Sequence, residues 1–153
     1  MALLLLRAMA LVCACCSALT LPSQPVLTLD AAKAVVESAG EEAAAKEWAV
    51  SVAVCDAGGH PVALSRADGA FAASAGVAMG KARTAALFRK GTEALEASTN
   101  GGRAALLSAG HVLMGGGVPL VVDGCVVGGV GVSGVLPDQD AEVAAAGASA
   151  LAA

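Results

Sequence analysis

The stretch VPLVVDGCVVGGVGVSG, residues 118 to 134, sets Asp123-Gly124 between two apolar runs. That dipeptide points to a tight β-hairpin, because both central residues of the favoured turn need positive φ, which aspartate and glycine reach at low cost. Strands joined directly by a turn run antiparallel, so the chain is directed toward an antiparallel sheet. A second hairpin lies upstream. Val50, Val52 and Val54 alternate with Ser51, Ala53 and Cys55, Asp56 to Gly59 supply the turn, and His60 to Arg66 form the return strand.

The segments around these hairpins have helical spacing. In LDAAKAVVESAGEEAAAKEW, Ala32, Val35, Val36, Ala39 and Ala43 fall on one face. Thr28 precedes the run, and Asp30 sits in the first turn, where an acid suits the helix dipole. Gly40 predicts an interruption or thinning of this helix. FAASAGVAMGKARTAALFRK, residues 71 to 90, is a second helix in which Ser74, Lys81 and Thr84 share a face. Helical character returns over 92 to 97, a loop or helix covers 100 to 109, and Pro137-Asp138 open a last alanine-rich helix. The order helix, hairpin, helices, hairpin, helix predicts an α/β (α+β) architecture, an antiparallel sheet flanked by helices.

With 153 residues, the chain suits one domain and needs neither disulfide nor metal to fold. It is 57% hydrophobic but only 2% aromatic, with 19 glycines, so its packing must be close and built from small side chains. A net charge of −4 and the scattered Trp48, Phe71 and Phe88 exclude nucleic acid, which requires clustered cations and stacking rings. Residues 1 to 21, MALLLLRAMALVCACCSALTL, are largely apolar around Arg7 and end in small residues, with Cys16-Ser17-Ala18 fitting a cleavage pattern. The expectation is a signal or targeting segment over 1–21, a linker over 22–27 and the domain over 28–153. The mature protein would then be exported or organellar. Cys13, Cys15 and Cys16 would leave with the leader. Cys55 and Cys125 remain and read as small buried hydrophobes; a disulfide between them would require neighbouring strands and an oxidising compartment.

Several motifs imitate known sites. Gly129 to Gly134 satisfies G-x-G-x-x-G, but a dinucleotide site needs a following parallel strand with an acid about 20 residues on, and the chain ends first. GVAMGK, residues 76 to 81, lacks P-loop spacing, and Ser133 lacks the final glycine of G-x-S-x-G. The domain has no spacing suited to a metal. His60 follows a glycine turn, and His111 lies in SAGHVLMGGGVP beside three glycines. Each reads either as a solvated residue or as a ligand-binding one. Gly115, Gly116 and Gly117 permit a sharp turn or let backbone approach a ligand.

VCDAGGHPVALSRADGA, KARTAALF, GGGVPLVVDGCVVGGVGVSG and DQDAEVAAAG together resemble the GlcG/HbpS family of haem-binding proteins. The related C-terminal domain of PduO-type proteins is similar, and the likeness runs over about residues 28 to 151. The resemblance implies a profilin-like fold, homo-oligomers, and haem or a related tetrapyrrole as ligand. On that reading Arg66, Asp68, Ser74, Lys81 and Thr84 surround one cleft with Gly116, Gly117, Val118 and Pro119. Arg66 and Lys81 would pair with propionates, and His111, or else His60, would ligate the iron. The alternative is an enzyme or accessory protein acting on a small hydroxy- or oxo-acid, its carboxylate held by Arg66 and Lys81 beside Thr84 or Ser133. No nucleophile–base pair supports that chemistry. Alanine-rich, weakly charged helices also predict a homo-oligomer, with the helix at 71 to 90 as the contact element.

Overall fold

Thr28 caps the first helix, α1 (Leu29–Ala45), by accepting a hydrogen bond from Ala31 N at 3.2 Å. This computed structural model describes residues 23–151, so the expected leader lies outside the described residues. Gly40 does not interrupt α1, contrary to expectation. A glycine in a helix costs only about 1 kcal/mol relative to alanine, and Ala32, Val35, Ala39 and Ala43 on the same helix are all buried. That packing outweighs the local weakness.

Four strands follow the expected hairpins: β1 (Ser51–Asp56), β2 (Pro61–Arg66), β3 (Gly117–Val122) and β4 (Cys125–Ser133). They form one antiparallel sheet in the order β2-β1-β4-β3. Asp123 and Gly124 have φ of 49° and 76°, the two positive values that the tight β3–β4 turn demands. At the other hairpin, Asp56 Oδ1 accepts hydrogen bonds from Gly58 N and His60 N, each at 2.9 Å. Between the hairpins lie α2 (Ser74–Phe88), α3 (Thr92–Asn100) and a 3₁₀ helix (Ala104–Ala109), and α4 (Pro137–Ser149) closes the chain.

The two faces of the sheet are covered differently. Val50, Val52, Val54, Val130 and Val132 meet Val35 and Ala39 of α1 and Val143 and Ala144 of α4 in the main core. On the opposite face α2 lies directly on glycines of β4. A Cβ on Gly131 would strike the backbone of Ala78 and Ala82, and one on Gly129 the backbone of Ala82 and Ala86. The G-x-G spacing at 129 to 131 is therefore a seat for a helix, with no room for a pyrophosphate.

This seat also takes up the small-residue face on which the expected subunit contact rested. Ala78, Ala82, Ala85 and Ala86 of α2 are buried within the chain, so the small-residue face meets its own sheet rather than a second copy. Ser74 points the same way, its hydroxyl 2.7 Å from that of Ser51. Cys55 and Cys125 are both free. Cys55 is opposite Gly129 in the β1–β4 register, whereas Cys125 begins β4. That places them about 13 Å apart along the strand, beyond the roughly 7 Å that a disulfide can span.

Candidate functional site

A groove opens where α3 and the 3₁₀ helix meet the segment leading into β3. Its walls are Glu96, Thr99 and Asn100 of α3, Leu107 of the 3₁₀ helix, and His111, Leu113 and Met114. Glu96, Thr99 and Asn100 stand at i, i+3 and i+4, which puts them on one helical face. Gly110, in the left-handed region at φ 69°, ends the 3₁₀ helix and turns the chain toward His111. The groove holds about 200 Å³.

The segment carrying His111 is fixed at both ends. The His111 ring packs edge-on against Phe88, with centroids 5.3 Å apart and an interplanar angle of 85°. Val112 fills the notch left by Gly80 on α2, where a Cβ would lie 3.1 Å from its own Cβ. After Met114, the first and third of three glycines are held by side chains. Gly115 N donates to Glu96 Oε2 at 2.7 Å, and Gly117 N donates to Thr92 Oγ1 at 2.7 Å. Glu96 thus has one oxygen committed to the backbone that borders the groove. Leu107 and Met114 remain 64% and 49% exposed, which is unusual for large apolar side chains facing the same hollow.

Lys81 lies elsewhere. Its side chain is 1% exposed, and Nζ donates to Asp140 Oδ2 at 2.7 Å and to Val132 O at 2.9 Å. Asp140 Oδ1 accepts a hydrogen bond from Val135 N at 3.2 Å. Burial pushes the Asp140 carboxyl above the usual carboxylate range, and the Lys81 ammonium opposes that shift. Lys81 therefore balances a buried acid and has no open face toward an anion. Asp140 sat unnoticed in DQDAEV, because its partner lies 59 residues upstream.

The other expected site residues are dispersed. Thr84 is buried and donates to Gly80 O at 2.8 Å. Gly116 and Gly117 are buried too, and side-chain and backbone atoms of Lys81, Thr92, Val132 and Asp140 fill the space beside them. Arg66 and Asp68 are exposed at the end of the β2 edge, while Pro119 lies in β3, the opposite edge strand. Three strand spacings, about 14 Å, separate those edges. His60 is exposed beside Asp56, with Nδ1 3.4 Å from Asp56 Oδ1. Backbone N–H groups, that of His60 foremost, hold the Asp56 carboxyl below its ordinary range. Within one chain, then, these residues do not close around a single cleft, and Arg66 and Lys81 do not converge on a carboxylate. Only His111 among the expected ligands lines the groove. Glu96, Thr99, Asn100, Leu107, Leu113 and Met114 were missed, although HVLM already stood beside the expected histidine in the sequence. Among the described residues no group of three or more His, Cys, Asp or Glu side chains is arranged to hold a metal ion.

Comparison with known proteins joins the fold to a family. The family model described as "Haem degrading protein HbpS-like" matches residues 27–149. Protein GlcG of Escherichia coli K12 is 45% identical over 109 residues, covering 71% of this chain and 81% of GlcG. The crystal structure of an HbpS double mutant from Streptomyces reticuli superposes with a TM-score of 0.79 at 34% identity, over 86% of this chain and 90% of that one. The crystal structure of a PduOC:Heme complex superposes with a TM-score of 0.74 at 29% identity, over 82% of this chain and 95% of that one. The family model, the likeness to GlcG and the superpositions agree, and the chain belongs to the HbpS-like family.

Proposed function

We propose that this protein binds haem or a related tetrapyrrole in the His111 groove and does so as a homo-oligomer. The observation that carries the reading is a histidine set among Leu107, Leu113 and Met114 in one open hollow. An imidazole nitrogen is a common axial ligand of haem iron, and the apolar side chains offer a surface for the macrocycle. Haem would supply a redox-active iron. The protein's part is to orient His111 through its contact with Phe88 and to exclude water with the leucines and Met114. Asn100 offers a neutral amide donor at the rim.

The haem complex of a structural relative and the description of the family support this reading. The size of the groove supports the oligomer. At about 200 Å³ it is smaller than a pocket that encloses a drug-sized ligand, which runs from about 300 to 1,000 Å³. One chain supplies an open, shallow hollow, and a second copy would close over it while covering Leu107 and Met114. The small-acid reading draws no support from a Lys81 already paired with Asp140.

Titration with hemin at micromolar protein tests the proposal. The expected result is a saturable Soret shift that His111→Ala removes or weakens at least about tenfold. An unshifted Soret band with the unmodified protein refutes it. A monomeric mass by light scattering at tens of micromolar protein refutes the oligomer.

A further inference from the structure

Lys81 is the bulkiest fully buried side chain among the described residues, and it does not line the groove. A buried ion pair is a costly way to fill a core, since apolar residues of similar volume pack as stably or more so. What the pair supplies that apolar residues cannot is a fixed geometry, and its surroundings show which segment receives it. Gly116, in the left-handed region at φ 111°, lies against both partners. A Cβ there would be 2.9 Å from Lys81 Nζ and 2.7 Å from Asp140 Cβ. Val132 completes the link: its carbonyl accepts from Lys81 Nζ, while its N–H donates to Gly116 O at 2.8 Å. Gly115 and Gly117, on either side, are held by Glu96 and Thr92. The strap Gly115–Gly117 continues directly from His111–Met114, the segment that forms one groove wall.

We infer that Lys81 and Asp140 are positioning residues that act through the Gly115–Gly117 strap to hold His111 and Met114 in place. Removing the ammonium leaves Asp140 buried without its counter-ion and frees the Val132 carbonyl, so the strap loses its backing while α1 and its contacts remain. The inference rests on the groove being the ligand site, but the order of the strap is measurable without any ligand.

The test is amide hydrogen exchange of the ligand-free protein, comparing Lys81→Met and the double variant Lys81→Met/Asp140→Leu with the unmodified chain. Both variants are expected to exchange about tenfold faster or more over residues 111–117, while α1 keeps its protection. Their affinity for hemin should fall by about tenfold or more. The double variant removes both charges and decides the matter if the single variant does not fold. Exchange over 111–117 that is unchanged, or that rises only in step with α1, overturns the inference. If hemin fails to bind the unmodified protein yet the strap still responds, the positioning role stands and the ligand reading falls.

Discussion

The two faces of the sheet solve the same packing problem by opposite means. On the α1/α4 face, Val50, Val52, Val54, Val130 and Val132 provide volume, and the helices stand off at the distance that branched side chains impose. On the α2 face, Ser51, Ala53, Cys55, Gly129 and Gly131 provide almost none, and the helix backbone descends onto the strands. The first face gains stability chiefly from apolar area removed from water. The second gains it from close approach, which brings Ser51 within reach of Ser74 and lets Lys81 of α2 reach Val132 O and, across to the other layer, Asp140 of α4. Position-specific chemistry gathers on the close face, and the groove is built beside it from α2's neighbours, with Val112 seated at Gly80 and His111 on Phe88.

One substitution type should separate the faces by sign. Gly131→Ala places a methyl group into the backbone of Ala78 and Ala82, which cannot yield unless α2 lifts from the sheet. Overpacking of this kind is expected to cost about 3 kcal/mol in chemical denaturation. Gly40→Ala, on α1, meets nothing within 4 Å. It should stabilise the protein by about 0.5–1 kcal/mol, the ordinary preference for alanine over glycine inside a helix. Equal effects of the same sign would show that the close seat of α2 is not what distinguishes the faces.

The sequence made some of this legible and concealed the rest for identifiable reasons. Asp123-Gly124 located a hairpin because a two-residue turn is a local property, settled by the φ values that those residues tolerate. The valine alternation in residues 50 to 54 likewise gave the strand and its two sides. The anion role of Lys81 rests on the resemblance alone, and the helix pattern could not test it, because alanine lies all round and periodicity does not mark which face is inward. The deciding residues, Gly129 and Gly131, are distant in sequence and resembled a phosphate-binding motif. His111 was legible as a candidate, but its groove was not, since Glu96, Leu107 and Met114 meet only after three short elements pack together. The resemblance segments KARTAALF and DQDAEVAAAG acquire a physical reason here: the Lys81–Asp140 pair joins them, and the glycines of GGGVPL wrap it.

The smallest expected effect probes the close face through its thiol. Cys55 is fully buried beneath α2, with Sγ 3.6 Å from Gly129 O, while Cys125 is partly exposed at the far hairpin. Burial pushes the Cys55 thiol up to about 11, with the contact to the Gly129 backbone opposing the shift. A thiol that holds its proton more tightly when folded contributes stability that is complete below its unfolded value of 9.0 and is lost as pH rises toward about 11. Near pH 8 it is neutral as well as covered, so it should resist iodoacetamide while Cys125 reacts. Peptide mapping of the folded protein checks this. Equal labelling of the two thiols under native conditions would mean that α2 lifts readily from the glycine seat, and the contrast between the faces would then be one of average position and not of rigidity.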